Sequence, residues 1–289
     1  MLLGGSLLLV GWHRPGTPVR PAVPSPTVAL SQPVAPAHHP ERDYLSGKRG
    51  ATATSKNIVY SSKPIPVAVL MYHEIRKGPN SLYLPAPELA DHLEALRQAG
   101  YVGITPEQLY QAYSGGAKLP LHPVVLTFDD GYASFYTNAF PLLQRYGYPG
   151  TLFVITGNVG KPEYVTWDQV REMAAAGIEM GGHTVNHPDL SKLDSNRQAF
   201  ELTESRRVLA EQSGRPVRFF AYPSGRYTDR TLALTKQAGY VGAVTTLPGL
   251  AEPGQDVLQW HRIRVNPGIS GTALVVRIRS LETAAAPSH

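Results

Sequence analysis

One junction recurs along the chain and limits the fold more than any other feature. Gln98-Ala99-Gly100-Tyr101-Val102-Gly103 returns as Gln237-Ala238-Gly239-Tyr240-Val241-Gly242, with looser versions at Arg145-Tyr146-Gly147-Tyr148 and Ala175-Ala176-Gly177-Ile178. In each, a helix-like stretch ends at a glycine, the residue that most readily takes the left-handed conformation in which helices stop. Apolar, strand-favouring residues follow at once. Four such joints describe repeated βα units, and crossovers of that kind connect parallel strands. The pattern predicts strands at 65–72, 101–105, 123–128, 150–156, 178–182, 217–222, 240–245 and 260–265. Helices are expected near 87–99, 106–113, 133–146, 166–176, 195–212, 228–238 and 270–281. Seven or eight strands with helices between them suit an α/β fold, a closed or nearly closed parallel (β/α) barrel. A doubly wound open sheet is the alternative, but no glycine-rich phosphate loop opens a helix.

In such a barrel the strand C-termini carry the chemistry. His73 follows the first strand, Asp129 and Asp130 follow Thr127-Phe128, and His183-Thr184-Val185-Asn186-His187 follows the strand at 178–182. Pro223-Ser224-Gly225 follows the strand at 217–222, while His122 precedes its strand and belongs to the opposite rim. An Asp-Gly pair is also ordinary turn chemistry, and two nearby histidines are more often surface residues. Taken together they mean more. Imidazoles at i and i+4 can face one cation, and two imidazoles with one carboxylate leave open positions on zinc, the pattern of a catalytic site. Asp130 is the natural third ligand. The glutamate of a His-Glu-x-x-His metalloprotease is missing, so that reading fails. Asp129 is then free to take a proton from water polarised by the metal. If the target is an amide, the departing amine needs an acid, and His73 is the strand-end histidine left for it.

Charge excludes one class of partner. The chain has 27 basic and 22 acidic residues, but seven of the basic and two of the acidic ones fall within residues 1–64. Residues 65–289 therefore carry no net charge, and a nucleic-acid-binding role is not expected. Cysteine is absent, so there is no disulfide and no thiolate metal site. Residues 1–12 are apolar and read as a signal or anchor segment, shorter than the roughly 20 residues of a membrane span. Residues 13–64 are rich in proline, alanine, serine and threonine and read as a basic linker. The expected organisation is an extracytoplasmic domain, 65–289, secreted or tethered to a membrane through its N-terminus, and monomeric.

At this point a resemblance is plain. Thr127-Phe128-Asp129-Asp130-Gly131 with His183-Thr184-Val185-Asn186-His187 resembles the first two motifs of the polysaccharide deacetylases of carbohydrate esterase family 4, whose NodB-type domain would cover roughly residues 65–270. The resemblance implies a distorted βα barrel, Asp129 as base, and Asp130, His183 and His187 as ligands of one divalent metal, Zn2+ with Co2+ or Ni2+ as alternatives. The third motif is only partly kept. Ala221-Tyr222-Pro223-Ser224-Gly225 has alanine where the family has the arginine that holds the catalytic aspartate, while the backbone N–H of Ser224 keeps the place of the oxyanion donor. The family's late Leu-x-His motif is missing too. Val69-Leu70-Met71-Tyr72-His73-Glu74-Ile75 resembles the start of a subgroup that includes poly-β-1,6-N-acetylglucosamine deacetylases, in which an early histidine replaces the late one; this supports His73 as acid.

Arg262 and Arg264 are the candidates to restrain Asp129 in place of the lost arginine. Trp260, Tyr132, Tyr222 and Tyr227 are candidates to stack on sugar rings, although aromatics at strand ends are as often core. The resulting expectation is a metal-dependent enzyme that removes N-acetyl groups from N-acetylglucosamine of a surface or wall polysaccharide (poly-N-acetylglucosamine, peptidoglycan or a chitin-like polymer). A catalytically silent sugar-binding domain on the same fold is the other reading.

Overall fold

The computed structural model describes residues 58–285, together with Met1. The expectations for the apolar start and for the linker up to residue 57 therefore lie outside the described residues. Residues 59–61, assigned to the linker by composition, pair with 119–121, with Tyr60 bridged antiparallel to Pro120. The packed chain thus begins before Ile65. Among the described residues no helix is long and apolar enough to cross a membrane.

The elements in order are β1 (Ala68–Tyr72), α1 (Ala86–Gln98), β2 (Val102–Ile104), α2 (Pro106–Tyr113), β3 (Pro123–Phe128), α3 (Phe140–Tyr146), β4 (Thr151–Val154) and α4 (Trp167–Ala175). They continue with β5 (Glu179–Gly182), α5 (Ser195–Ser213), β6 (Phe219–Ala221), α6 (Asp229–Gln237), β7 (Gly242–Pro248), β8 (Trp260–Arg264) and α7 (Gly271–Ala285). Each expected strand is present, and so is each expected helix except the single one over 133–146. The joints behave as their glycines require: Gly100 has φ 83° and Gly239 φ 91°. Helix starts are equally local in origin, since Thr105 with Gln108, and Thr166 with Gln169, form capping boxes at α2 and α4.

All strand pairings are parallel, and β1 pairs with both β8 and β3, closing a ring of seven strands. β2 stands outside that ring. It takes the lower part of the β3 edge, against Pro123–Val125, while β4 takes the upper part at Thr127 and Phe128. The ring is loosely zipped at β5–β6, where only Gly182 and Phe220 pair, and it bulges between Val244 and Pro248 of β7. Distortion of the barrel comes from these two places.

The alternation of strand side chains sorts the interior into layers. Val69, Val125, Phe153, Phe219, Ala221, Val244 and Trp260 form the buried apolar fill. Room for Phe153 comes from Gly181, where a Cβ would lie 2.3 Å from the phenyl ring. One departure from the expected helices stands next to the Asp-Asp-Gly turn. The segment 133–146 is not one α-helix; Phe135–Ala139 is a π-turn that runs into α3, with Phe140 N–H bonded to the Phe135 carbonyl. Pro141 has no N–H and its ring clashes with the carbonyl of residue 137, so the α-helical ladder must widen there.

Outside the barrel, α1 and α7 are pinned to β1 through His92, which is fully buried. The Ile269 carbonyl, 2.7 Å from Nε2, can only accept, so Nε2 carries the proton and Nδ1 accepts from the Tyr72 hydroxyl at 3.3 Å. Burial lowers the His92 pKa from its ordinary 6.5. A buried neutral histidine gains no proton in the fold that the unfolded chain would take, so its stabilisation is complete above pH 6.5 and is lost as pH falls from there through the folded value. We expect the thermal midpoint to drop on acidification through this window. His92→Gln, which can keep both hydrogen bonds, should show a shallower drop, while His73 and His187 remain to titrate. An unchanged slope in His92→Gln would mean that the buried imidazole is not protonated on unfolding.

Candidate active site

The alternation that fills the barrel also delivers its upper layer. Residues 69, 71 and 73 of the first strand, 125, 127 and 129 of the third, and 260, 262 and 264 of the last point to one interior. Below sits hydrocarbon; above it Thr127, Asp129 and Arg262 meet. The Arg262 guanidinium bonds both oxygens of Asp129, Nη1 to Oδ1 at 2.8 Å and Nη2 to Oδ2 at 2.7 Å. Its Nη1 also reaches Thr127 Oγ1 at 3.1 Å, and its Nε donates to the Thr245 carbonyl at 2.8 Å. That carbonyl lies in the β7 bulge. Thr127 in turn donates to the Leu70 carbonyl at 2.7 Å. Both ions are buried, Asp129 at 3% and Arg262 at 1% exposure. Burial alone would raise the Asp129 pKa, but the facing guanidinium overrides it and holds the carboxyl well below the usual range.

The neighbouring carboxylate takes a different path. Asp130 has φ 75°, which breaks the strand alternation and turns its side chain back over the rim. There its Oδ1 lies 3.3 Å from His183 Nε2 and 3.5 Å from His187 Nε2. One donor atom from each of Asp130, His183 and His187 lies within 4.8 Å of the others. His183 N–H is bonded to the Val154 carbonyl, and its Nδ1 donates to the Ala221 carbonyl at 2.7 Å, so Nε2 is the nitrogen turned to the cluster. A ring held by its far nitrogen is how metal-binding histidines are oriented. Burial disfavours the His183 cation, yet the adjacent aspartates outweigh it and raise its pKa. The donor set, the spacing and the fixed tautomer fit one divalent ion with open positions.

His73 Nε2 lies 3.9 Å from Asp129 Oδ2. Burial lowers its pKa, against the pull of Asp129 and Asp130. Ser224, at φ 53° in the one-turn helix Pro223–Gly225, is exposed on the same rim. As the second residue of that turn, its N–H is one of the amides that a helix start leaves without an intrahelical partner. Tyr132 is half-buried and stacks on Tyr164 at 5.2 Å.

Three expectations need correction. Arg264 does not hold Asp129; its guanidinium turns towards Ser81 Oγ at 3.5 Å, because position 264 lies one layer above the carboxylate. Trp260 has no exposed surface and lies below Arg262 on the inner face, stacked on Phe219 at 6.0 Å, so it is core and not groove. Tyr222 is likewise fully buried, against Phe220 and Tyr227. His122 is exposed at the start of β3, away from the site. Two residues hydrogen-bonded to this neighbourhood, Thr127 to Arg262 and Glu201 to the loop of the two histidines, were not singled out from the sequence. Thr127 is an inward hydroxyl among apolar positions. Glu201 stands on the buried face of α5 with Gln198, Leu202, Ser205 and Leu209, and an acidic residue on such a face was the available signal.

The pattern of the family described as polysaccharide deacetylase matches residues 116–243. The Bacillus subtilis polysaccharide deacetylase homologue YxkH is 34% identical over 250 residues, which are 86% of this chain and 89% of that one. The poly-β-1,6-N-acetyl-D-glucosamine N-deacetylase of Escherichia coli K12 is 37% identical over 114 residues, 34% of this chain and 17% of that enzyme. Among solved structures, the Streptococcus pyogenes deacetylase PplD in complex with acetate superposes with a TM-score of 0.71 at 32% identity, covering 78% of this chain and 100% of that one.

The ion pair sets a stability test. Removing one partner of a buried pair typically costs about 3–5 kcal/mol, whereas altering the half-buried rim cation Arg264 costs about 1 kcal/mol, the centre of the range for single substitutions. Arg262→Ala should therefore lower the urea midpoint far more than Arg264→Ala. Equal effects of the two would contradict the pairing described here.

Proposed function

The chain belongs to the polysaccharide deacetylase family, and from that premise we propose that it is a metal-dependent N-deacetylase that removes acetyl groups from N-acetylglucosamine units of a surface or wall polysaccharide, releasing acetate. The observation that carries this reading is the geometry around Asp129. A carboxylate kept ionised and fixed by Arg262 stands beside Asp130, His183 and His187, with His73 3.9 Å from it.

Asp130, His183 and His187 would hold the ion, Zn2+ in the first place and Co2+ or Ni2+ as alternatives. A metal bound there would act as Lewis acid on the acetyl carbonyl and lower the pKa of water. Asp129 takes the proton from the attacking water, and Arg262 keeps its two oxygens in place while it does so. The backbone N–H of Ser224 faces the charge that grows on the carbonyl oxygen. His73 protonates the departing nitrogen, so one amide and one water become acetate and a free amine. Tyr132 at the rim is suited to contact with a sugar ring. A neutral folded part argues against nucleic acid as a partner, and a polymeric substrate of this kind supports a location outside the cytoplasm, secreted or anchored. Poly-N-acetylglucosamine, peptidoglycan and chitin-like polymers are the substrates to compare. A silent sugar-binding domain drew its support from Ala221 in the third motif; Arg262 supplies from β8 the guanidinium that Ala221 lacks, which favours the enzyme.

Acetate release should be measured across β-1,4- and β-1,6-linked N-acetylglucosamine oligomers and peptidoglycan. We expect turnover on at least one of them, lost with a chelator and restored by added Zn2+, Co2+ or Ni2+. Asp129→Asn and His73→Ala should each lower kcat by about 10²–10⁴-fold, the usual share of a general base or acid. His183→Ala should lose metal binding. Sugar binding by the metal-loaded protein without any acetate release would instead establish the silent reading.

A further inference from the structure

The two histidines of the cluster sit on a loop whose conformation local sequence does not favour. Thr184 has φ 67° and His187 φ 56°, left-handed values at residues with side chains. Within the loop, Thr184 Oγ1 accepts from the His187 N–H at 2.8 Å. Its carbonyls are taken by the β4 end, Thr184 O by Thr156 N–H at 3.1 Å and Val185 O by Gly157 N–H at 2.9 Å. On the other side of the loop one side chain accepts three bonds. Glu201 Oε2 accepts the backbone N–H of Val185 at 2.8 Å and of Asn186 at 2.9 Å, and Oε1 accepts Asn186 Nδ2 at 2.8 Å. Glu201 is buried at 6% exposure.

We propose that Glu201 is the positioning residue of the metal site: its carboxylate, anchored on α5, holds the loop 184–187, left-handed at Thr184 and His187, in the conformation that brings His187 opposite His183 and Asp130. This rests on the metal-dependent reading above. Three donors meet the two oxygens of one buried side chain, which would otherwise be left there without partners. Glu201 is not in the cluster of donor atoms that would meet the ion, so it acts through the loop and not on the metal. Supporting partners of this kind commonly change metal affinity about 10–100-fold when removed.

The test is Zn2+ or Co2+ affinity of the purified protein by competition with a chromophoric chelator, together with the Co2+ absorption spectrum and the melting curve of the chelator-treated protein. Glu201→Ala should weaken metal binding about 10–100-fold and alter the Co2+ spectrum. Glu201→Gln should recover most of the affinity, since its oxygen can accept both backbone N–H groups and its amide can donate to a flipped Asn186. If Glu201→Ala does not fold, Asn186→Asp gives the same readout, because it sets a second carboxylate against Glu201 in a partly exposed loop; weakened binding with an unchanged apo melting curve is expected. Wild-type affinity and spectrum in folded Glu201→Ala, or in Asn186→Asp, would overturn the proposal. Absence of metal binding by the wild-type protein would instead overturn the metal-dependent reading itself.

Discussion

The upper half of the barrel depends on one buried ion pair. Taking a guanidinium and a carboxylate out of water is unfavourable unless geometry and further hydrogen bonds compensate. Here two parallel bonds join Arg262 to Asp129, and Thr127 and the Thr245 carbonyl take remaining guanidinium hydrogens. That carbonyl is available because β7 bulges between Val244 and Pro248 and so leaves the regular ladder. The bulge, the inward threonine on β3 and the inward arginine on β8 form one device, which keeps a carboxylate ionised in a place that would otherwise neutralise it.

The same device explains a departure from the family pattern. Side chains from every wall of a seven-strand ring converge on one volume, so a guanidinium can reach Asp129 from β6 or from β8. With alanine at 221, β6 leaves that volume open, and its carbonyl serves instead to orient His183 through Nδ1. Position 262 fills it from β8, two strands away around the ring. Position 264 cannot, because a two-residue step along β8 moves its side chain up to the mouth of the barrel.

How much of this was legible in the sequence follows from how local each signal is. Helix stops, helix caps and apolar strands are decided within a few residues, and all eight strands and their intervening helices were found with ends displaced by a few residues. Asp129, Asp130, His183 and His187 stand out in the sequence because each follows a strand end, and the fold brings the four to one rim. Trp260 and Tyr222 were misplaced because an aromatic near a strand end gives no sign of whether it lies one layer below the rim or on the outer face. The choice between Arg262 and Arg264 needed the register of β8 against β1 and the bulge in β7, which are long-range facts. The π-turn at Phe135–Ala139 was readable in principle from Pro141, but helical periodicity on both sides masked it.

Backbone conformation shows how the two ends of the barrel answer different demands. At the helix-to-strand joints below, the left-handed residues are glycines such as Gly100 and Gly239, for which positive φ carries no steric penalty. Of the five described non-glycine residues with positive φ, Asp130, Thr184, His187 and Ser224 lie on the strand C-terminal rim that carries the candidate site. Each such residue costs about 1–3 kcal/mol, which persists only where surroundings over-determine the conformation. Glycine would relieve that strain at Asp130 and His187 but would remove the carboxylate and the imidazole. The proposed metal site therefore calls for a side chain where the backbone alone would select glycine. The hydrogen bonds around the histidine loop, including those of Glu201, oppose the strain that results.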